Sequence, residues 1–324
     1  MTYDFVPSGH NPLADDPPVA AVESGGPNEG PRVLIEPKQF QYEVVQGFFR
    51  QNGPKPKTHD FEYMLKHSFG LIDETPERWE NLKRDVAKLQ AEAPADVQYK
   101  VFFLGRHGEG WHNYAVTQIG IEPWEEYWAF QYGNGTLTWG PDPELTKTGV
   151  AQAQAIQACW KEQAPLGAPI RKDQIRWYVS PLTRTGQTMQ ESWGELLTGV
   201  PEVWEDWREV YGSHTCDQRR TKSYIEERFP SFKIEKGFAE EDELWKPDIR
   251  ETDEHMQIRG QRALDRLFGS GPDHADETYI SITAHSGNLR NLLAVLGHQP
   301  YPLATGEMIP VVVRATPVRG NGVA

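Results

Sequence analysis

The sequence predicts an α/β protein: a three-layer sandwich with a mostly parallel central sheet, helices on both faces and a largely helical insert capping the site. Three observations predict it. Short apolar runs of strand length recur, and they are continuous rather than alternating, as in strands buried on both faces. Segments with helical spacing separate them. Arginine and histidine follow directly on several runs, at the carboxyl ends of strands, where open α/β sheets bind ligands.

Residues 1–35 are rich in Pro, Gly, Asp and Asn and are expected to form a flexible arm; residues 36–324 are expected to form a single catalytic domain. FQYEVVQGFF (40–49) is apolar enough to pack against something. Thr75 before Pro76 supplies a capping hydroxyl and a pre-set first φ, and Trp79, Leu82, Val86 and Leu89 recur at helical spacing, so a helix is expected over about 76–92. YKVFFL (99–104) is a strand, VAQAQAIQACW (150–160) a helix, IRWYVS (175–180) a strand and LTRTGQTMQESW (182–193) a helix. Between about 200 and 260 acidic, basic and Trp residues mix without a clear strand, and this is read as the insert. TYISITAH (278–285) is a strand, GNLRNLLAVLG (287–297) a helix ending in glycine, and MIPVVVRA (308–315) the last strand.

The 324 residues are 38% hydrophobic and include eleven Trp and thirteen Phe, enough for a substantial core. The net charge of −14 repels nucleic acid and anionic membranes, so neither is expected as a partner, and an anionic substrate would need local cations to overcome the global field. Cys159 and Cys216 are far apart, so no disulfide framework or zinc cluster is expected, and a reducing compartment is favoured. The N-terminus lacks the basic and apolar regions of a secretory signal, and no apolar run approaches the roughly 20 residues that span a bilayer. The expectation is a cytoplasmic protein, monomeric or dimeric.

Chemistry-bearing residues stand at three strand ends. Arg106 and His107 follow the strand at 99–104, Arg184 follows 175–180, and His285 closes 278–284. His107, Glu109 and His112 invite comparison with a zinc-binding HExxH helix. That motif needs its histidines four apart on one helical face, whereas these are five apart with Gly108 and Gly110 between them, and Arg106 opposes a dication; no metal is expected. Phosphate fits better. Arginine forks bind phosphate oxygens, glycines allow close backbone approach, and an imidazole with one nitrogen pinned as donor can attack phosphorus with the other. A single histidine or arginine at a strand end is ordinarily structural; the convergence of three ends is the signal. His112 is expected to pack structurally beside Asn113, and Glu109 and Trp111 to shape the loop.

RHGEGWHN (106–113), LTKTGVAQA (145–153), SPLTRTGQT (180–188) and TAHSGNLRNLL (283–293) stand in the order seen in the histidine phosphatase superfamily. Over roughly residues 99–315 the chain resembles its phosphoglycerate-mutase-like branch, notably fungal phosphomutase-like proteins. His285 is followed by Ser286, not by the aspartate that is the proton donor in the acid-phosphatase branch. The resemblance implies that His107 is the nucleophile that becomes phosphohistidine. It implies that Arg106, Arg184, His285 and Asn113 hold the phosphoryl group. It also implies that Glu209, in WREVYGSHTCDQRR (207–220), is the acid and base, with Asp217 the alternative carboxylate if the insert folds differently. No cofactor is implied.

The start RHGEGWHN and the acid segment EVYG depart from the RHGES and ERHYG patterns of true cofactor-dependent mutases. The expected activity is therefore a metal-independent phosphatase on a small phosphorylated metabolite. The alternatives are a repurposed hydrolase or lyase acting on a non-phosphorylated metabolite, a phosphoglycerate-type mutase, or a non-catalytic module that uses the same cage for recognition. Trp204, Trp207, Tyr211, Tyr224 and Trp245 of the insert either line a pocket above the cage or form the insert's own core.

Overall fold

The structure is a computed structural model that describes residues 38–53, 61–269 and 277–318. The expected arm over 1–35 lies outside the described residues. The strands are β1 (Phe40–Val44), β2 (Gln98–Arg106), β3 (Ile175–Val179), β4 (Glu202–Val203), β5 (Lys233–Ile234), β6 (Tyr279–Ala284) and β7 (Met308–Pro317). They form one sheet in the order β1-β7-β2-β6-β3-β4-β5. β2, β6, β3, β4 and β5 run parallel, and β7 is antiparallel to both its neighbours.

The helices are α1 (Phe61–Lys66), α2 (Arg78–Glu92), α3 (Trp111–Ile119), α4 (Ile121–Glu126), α5 (Lys147–Gln163), α6 (Thr183–Trp193), α7 (Lys222–Arg228), α8 (Asp253–Phe268) and α9 (Ser286–Val295). The period-2 alternation of β2 divides the core. Phe102 and Leu104 face one apolar cluster with Leu264, Leu267, Leu289 and Leu292 of α8 and α9; Val101 and Phe103 face another with Trp79, Ile156, Trp160 and Met189 of α2, α5 and α6. The sheet is thus covered on both faces, which explains why VFFL is continuously apolar: all four residues are fully buried.

Three expectations need correction. α2 begins at Arg78 rather than near Pro76, and Thr75 is not its cap. The Thr75 N–H is taken by the Asp73 carboxylate at 2.8 Å and the Thr75 carbonyl accepts from Arg78 at 3.2 Å, a turn that leads into the helix. The insert is largely irregular rather than largely helical. Over 200–252 it contains α7, isolated 3-10 turns, and the short strands β4 and β5 that extend the sheet. Buried guanidinium groups hold it instead of helical hydrogen bonds. Arg219 donates to the carbonyls of Ala239, Glu240 and Glu241, and Arg208 grips Asp242 with both Nη atoms at 2.8 Å. Finally, α8 starts within the expected insert but forms part of a sandwich layer, and Trp204 and Trp207 pack in the core beneath it rather than lining a pocket.

The direction of β7 shapes the site. Residues 296–307 bring the chain back from the far end of α9 to the carboxyl end of β2, where Gly105 pairs with Met308. This return segment therefore lies against Arg106 and His107: the Arg106 N–H donates to the Glu307 carbonyl at 2.8 Å, and the Gly306 N–H to the His107 carbonyl at 2.9 Å.

Candidate active site

The loop after β2 is held on several sides. The His107 N–H donates to the Ala284 carbonyl of β6 at 3.0 Å, and the Gly108 N–H to Thr188 Oγ1 of α6 at 3.0 Å. Gly108 and Gly110 were expected to admit a ligand, but each makes room for protein. A Cβ at Gly108 would overlap the Gly149 backbone, a Cβ at Gly149 would overlap the Glu109 backbone, and a Cβ at Gly110 would press on the His112 ring. The loop and the start of α5 thus pack backbone to backbone. Glu109 seals that contact. Its N–H donates to Gln152 Oε1 at 2.8 Å, its carbonyl accepts from the Thr146 N–H at 2.8 Å, and its carboxylate accepts from the Thr146 hydroxyl at 2.5 Å. Thr146 in turn caps α5.

His107 Nδ1–H donates to the Gly108 carbonyl at 2.7 Å, which leaves the lone pair on Nε2. Arg184 Nε–H donates to that nitrogen at 3.3 Å, a contact that an incoming phosphoryl group must displace before Nε2 can attack. The His285 and His112 rings lie 5.1 and 5.5 Å from the His107 ring, centroid to centroid. Burial, then the Arg184 and Arg106 charges, hold His107 well below the usual imidazole range. Burial and Arg184 do the same to His285 and His112, so all three rings are neutral near pH 7. His285 Nε2 meets Ser180 Oγ at 2.7 Å. Asn113 spends its side-chain oxygen on the Gly110 N–H at 3.0 Å, at the start of α3.

Three buried polar atoms around His107 have no hydrogen-bond partner among the described residues: Asn113 Nδ2, His285 Nδ1 and His112 Nδ1. Native interiors seldom leave such atoms unpaired. Their concentration beside a nucleophilic lone pair and two guanidinium groups marks a place built for a ligand with several acceptor oxygens. His112, expected to be structural packing, belongs to this cluster; the ring-sized gap that Gly110 leaves beside it is the sequence signal that could have found it.

Arg184 is fixed at its far side. Nη1 donates to the Cys216 carbonyl at 2.8 Å and Nη2 to Asp217 Oδ1 at 2.9 Å, while Asp217 Oδ2 accepts from Arg250 Nη1 at 3.1 Å. The Arg250 and Arg184 charges keep this buried carboxyl below its usual range against the opposing pull of desolvation. Glu209 stands elsewhere. Its carboxylate accepts from the Gly287 and Asn288 N–H groups of α9 at 3.0 and 3.1 Å, and from Val210 N–H at 2.9 Å. A helix N-terminus is a natural anion site, and this one begins directly after His285. Arg259 Nη2 donates to the Glu209 carbonyl at 3.1 Å and Arg250 Nη1 to the Val210 carbonyl at 3.1 Å, so two guanidinium groups position the segment.

His214, Cys216 and Asp217 bring donor atoms within 4.8 Å of one another. Both Asp217 oxygens are already taken by guanidinium groups, and burial pushes the Cys216 thiol well up, so the trio suits a dication poorly.

Fold and cluster together define a class: α/β proteins built around a buried neutral histidine flanked by arginine at the carboxyl ends of parallel strands. The chain belongs to the histidine phosphatase superfamily (branch 1), whose sequence profile matches residues 102–308. It is 37% identical over 294 residues to a probable phosphoglycerate mutase of Arthroderma benhamiae, covering 85% of this chain and 84% of the relative. It is 36% identical to phosphomutase-like protein 3 of Candida albicans, covering 84% and 80%, and 34% identical to a probable phosphoglycerate mutase of Saccharomyces cerevisiae, covering 66% and 78%. These relatives place it in the phosphoglycerate-mutase-like branch. Among the described residues no helix is long and apolar enough to cross a membrane.

Proposed function

We propose that the protein is a metal-independent phosphatase that acts on a small phosphorylated metabolite through a phosphohistidine. The observation that carries this reading is the unprotonated His107 Nε2, which accepts from Arg184 Nε–H at 3.3 Å, with the His285 ring 5.1 Å away carrying an unpaired Nδ1. In the first step Nε2 attacks phosphorus and the ester P–O bond breaks, while Glu209 gives its proton to the leaving oxygen. In the second, Glu209 takes a proton from water, the water oxygen attacks phosphorus, the N–P bond breaks and phosphate leaves. Arg106, Arg184, Asn113 and His285 stabilise the charge on the equatorial oxygens. The incoming phosphoryl group competes with Glu209 for the Gly287 and Asn288 N–H groups; the released carboxylate takes the proton of the phosphomonoester monoanion and passes it to the leaving oxygen.

A second reading follows from the mutase names of the Arthroderma and Saccharomyces relatives: the phosphoryl group passes from His107 to a second hydroxyl of the same acid instead of to water, with the N–P bond breaking as the new O–P bond forms. One experiment addresses both. Purified protein in EDTA is assayed for phosphate release from a panel of phosphomonoesters and for interconversion of 2- and 3-phosphoglycerate, beside His107→Ala. Phosphate release that disappears in the variant, with an acid-labile phosphoenzyme trapped only in the wild type, is the expected result. Interconversion without release would replace the phosphatase by the mutase, and neither activity would overturn both.

A further inference from the structure

A cavity of about 440 Å3, within the size range of small-molecule pockets, lies beside Trp111 at the start of α3; Arg106, His107, Arg184, Glu209 and His285 are not among the residues that line it. It begins four residues past His107, where the Trp111 N–H donates to the Glu144 carbonyl at 3.1 Å. It shares Asp142 with the helix of Arg184: that carboxylate accepts from the Thr183 N–H at 2.7 Å and the Thr183 hydroxyl at 2.6 Å. The cavity therefore borders the start of α3, which follows the His107 loop, and reaches the start of the helix that carries Arg184 through Asp142.

Its walls are flat. They include Trp111, Leu137, Pro141, Pro143, Arg220 and Tyr224. The Trp111 indole is 38% exposed. The Arg220 guanidinium lies over the Tyr224 ring at 5.5 Å from its centroid, and Arg220 Nε is buried without a hydrogen-bond partner among the described residues. Guanidinium planes and indoles both stack on rings, and an unpaired N–H seeks an acceptor at a ring's edge. Two acids also line the cavity. Asp142 is engaged in capping α6, and Glu144 pairs with Arg228 at 3.6 Å. They repel a second phosphate on the leaving group.

We propose that this cavity is the leaving-group subsite, and that the substrates are phosphomonoesters of alcohols bearing one flat ring with a hydrogen-bond acceptor at its edge. The proposal rests on the phosphatase reading. Trp111, Arg220 and Tyr224 determine specificity, and the cage around His107 takes the phosphoryl group.

The test compares esters whose alcohols have similar leaving ability, so that ring shape alone differs. 2-Phenylethyl phosphate and 2-cyclohexylethyl phosphate have similar bulk, but only the first is flat; n-propyl phosphate reports phosphatase activity without a ring. The wild type should favour 2-phenylethyl phosphate over the cyclohexyl ester by about tenfold in kcat/KM, and Trp111→Ala and Arg220→Met should each reduce that ratio to about threefold or less. A wild-type ratio within twofold, or a ratio that both variants retain, overturns the subsite. The same ratio taken as Kd by calorimetry on His107→Ala reads the subsite without chemistry. Loss of hydrolysis of all three esters would thus sink the phosphatase reading, while the binding ratio still decides the subsite.

Discussion

Two carboxylates compete for the role of proton carrier, and their surroundings separate them. Both Asp217 oxygens are committed to Arg184 and Arg250, whereas Glu209 is held by backbone N–H groups at the helix terminus beside His285. Glu209→Gln should lower kcat on an alkyl phosphate by about 10²–10⁴ and on p-nitrophenyl phosphate by much less, because a good leaving group needs no proton. Asp217→Asn should weaken both substrates alike, since it disturbs Arg184, and should destabilise the fold by about 3 kcal/mol, because the buried Arg184 loses its counter-charge while the partly exposed Arg250 can turn to solvent. Leaving-group dependence and urea unfolding of the two variants check this; leaving-group dependence in Asp217→Asn alone would reverse the assignment. His107 and His285 were legible in the sequence because each follows a strand directly, and Arg184 because it stands in the first turn of the helix after β3. The Arg184–Asp217 pair was not, because it joins positions 33 residues apart across an irregular insert, which no local period records.

At the scale of elements, the loop–α5 contact depends on two glycines meeting across a gap with no room for a methyl group. Gly108→Ala and Gly149→Ala should each destabilise the protein by about 1–3 kcal/mol, because the obstacle is backbone on both sides, and should reduce activity with it. Gly287→Ala differs: its methyl would meet the far end of the Glu209 side chain and Val210 Cγ2 rather than backbone, and would push the carboxylate off the Gly287 and Asn288 N–H groups. That variant should lose more activity on alkyl esters than its loss of stability accounts for, and thermal melts with parallel kinetics separate the cases. Equal destabilisation in all three would show that Glu209 cannot move. β2 was readable because burial on both faces leaves the unbroken apolar run VFFL, and β3 and β6 because mostly apolar residues flank only Arg176 in the one and Ser281 and Thr283 in the other. The antiparallel direction of β7 was not, because MIPVVVRA is equally apolar in either direction and only the return path through 296–307 decides it. The insert defied the helical reading because its buried arginines bond to carbonyls far along the chain, and composition alone does not distinguish such arginines from those on a solvated helix face.

For the whole molecule, the buried histidines and carboxyls impose opposite pH dependences on stability. Burial holds His107, His112 and His285 neutral, below their ordinary value of 6.5, so the unfolded chain binds more protons below that pH. Their contribution is intact above 6.5 and is lost as pH falls below it, at about 1.4 kcal/mol per pH unit for each ring. Glu307 works the other way. Burial pushes its carboxyl from 4.5 to about 7, beside Tyr301 and the Ala304 N–H, so the folded chain binds more protons between those values and stability falls as pH rises through them. Asp142, pushed up to about 6, adds to this effect up to that pH. Just below 6.5 the three histidines oppose and outnumber the carboxyls, and between 6.5 and 7 only Glu307 of this set still titrates. Stability should therefore rise with pH to a maximum near 6.5 and then decline slightly. Glu307→Gln should match the wild type near pH 4.5 and exceed it by up to about 3 kcal/mol above pH 7, because the glutamine stays neutral where the carboxyl must ionise. Urea midpoints across pH 4.5–8 for both proteins measure it; a wild-type maximum at or below pH 5 would mean that the histidines around the site are not held neutral, which would also remove the ground for His107 as a ready nucleophile at neutral pH.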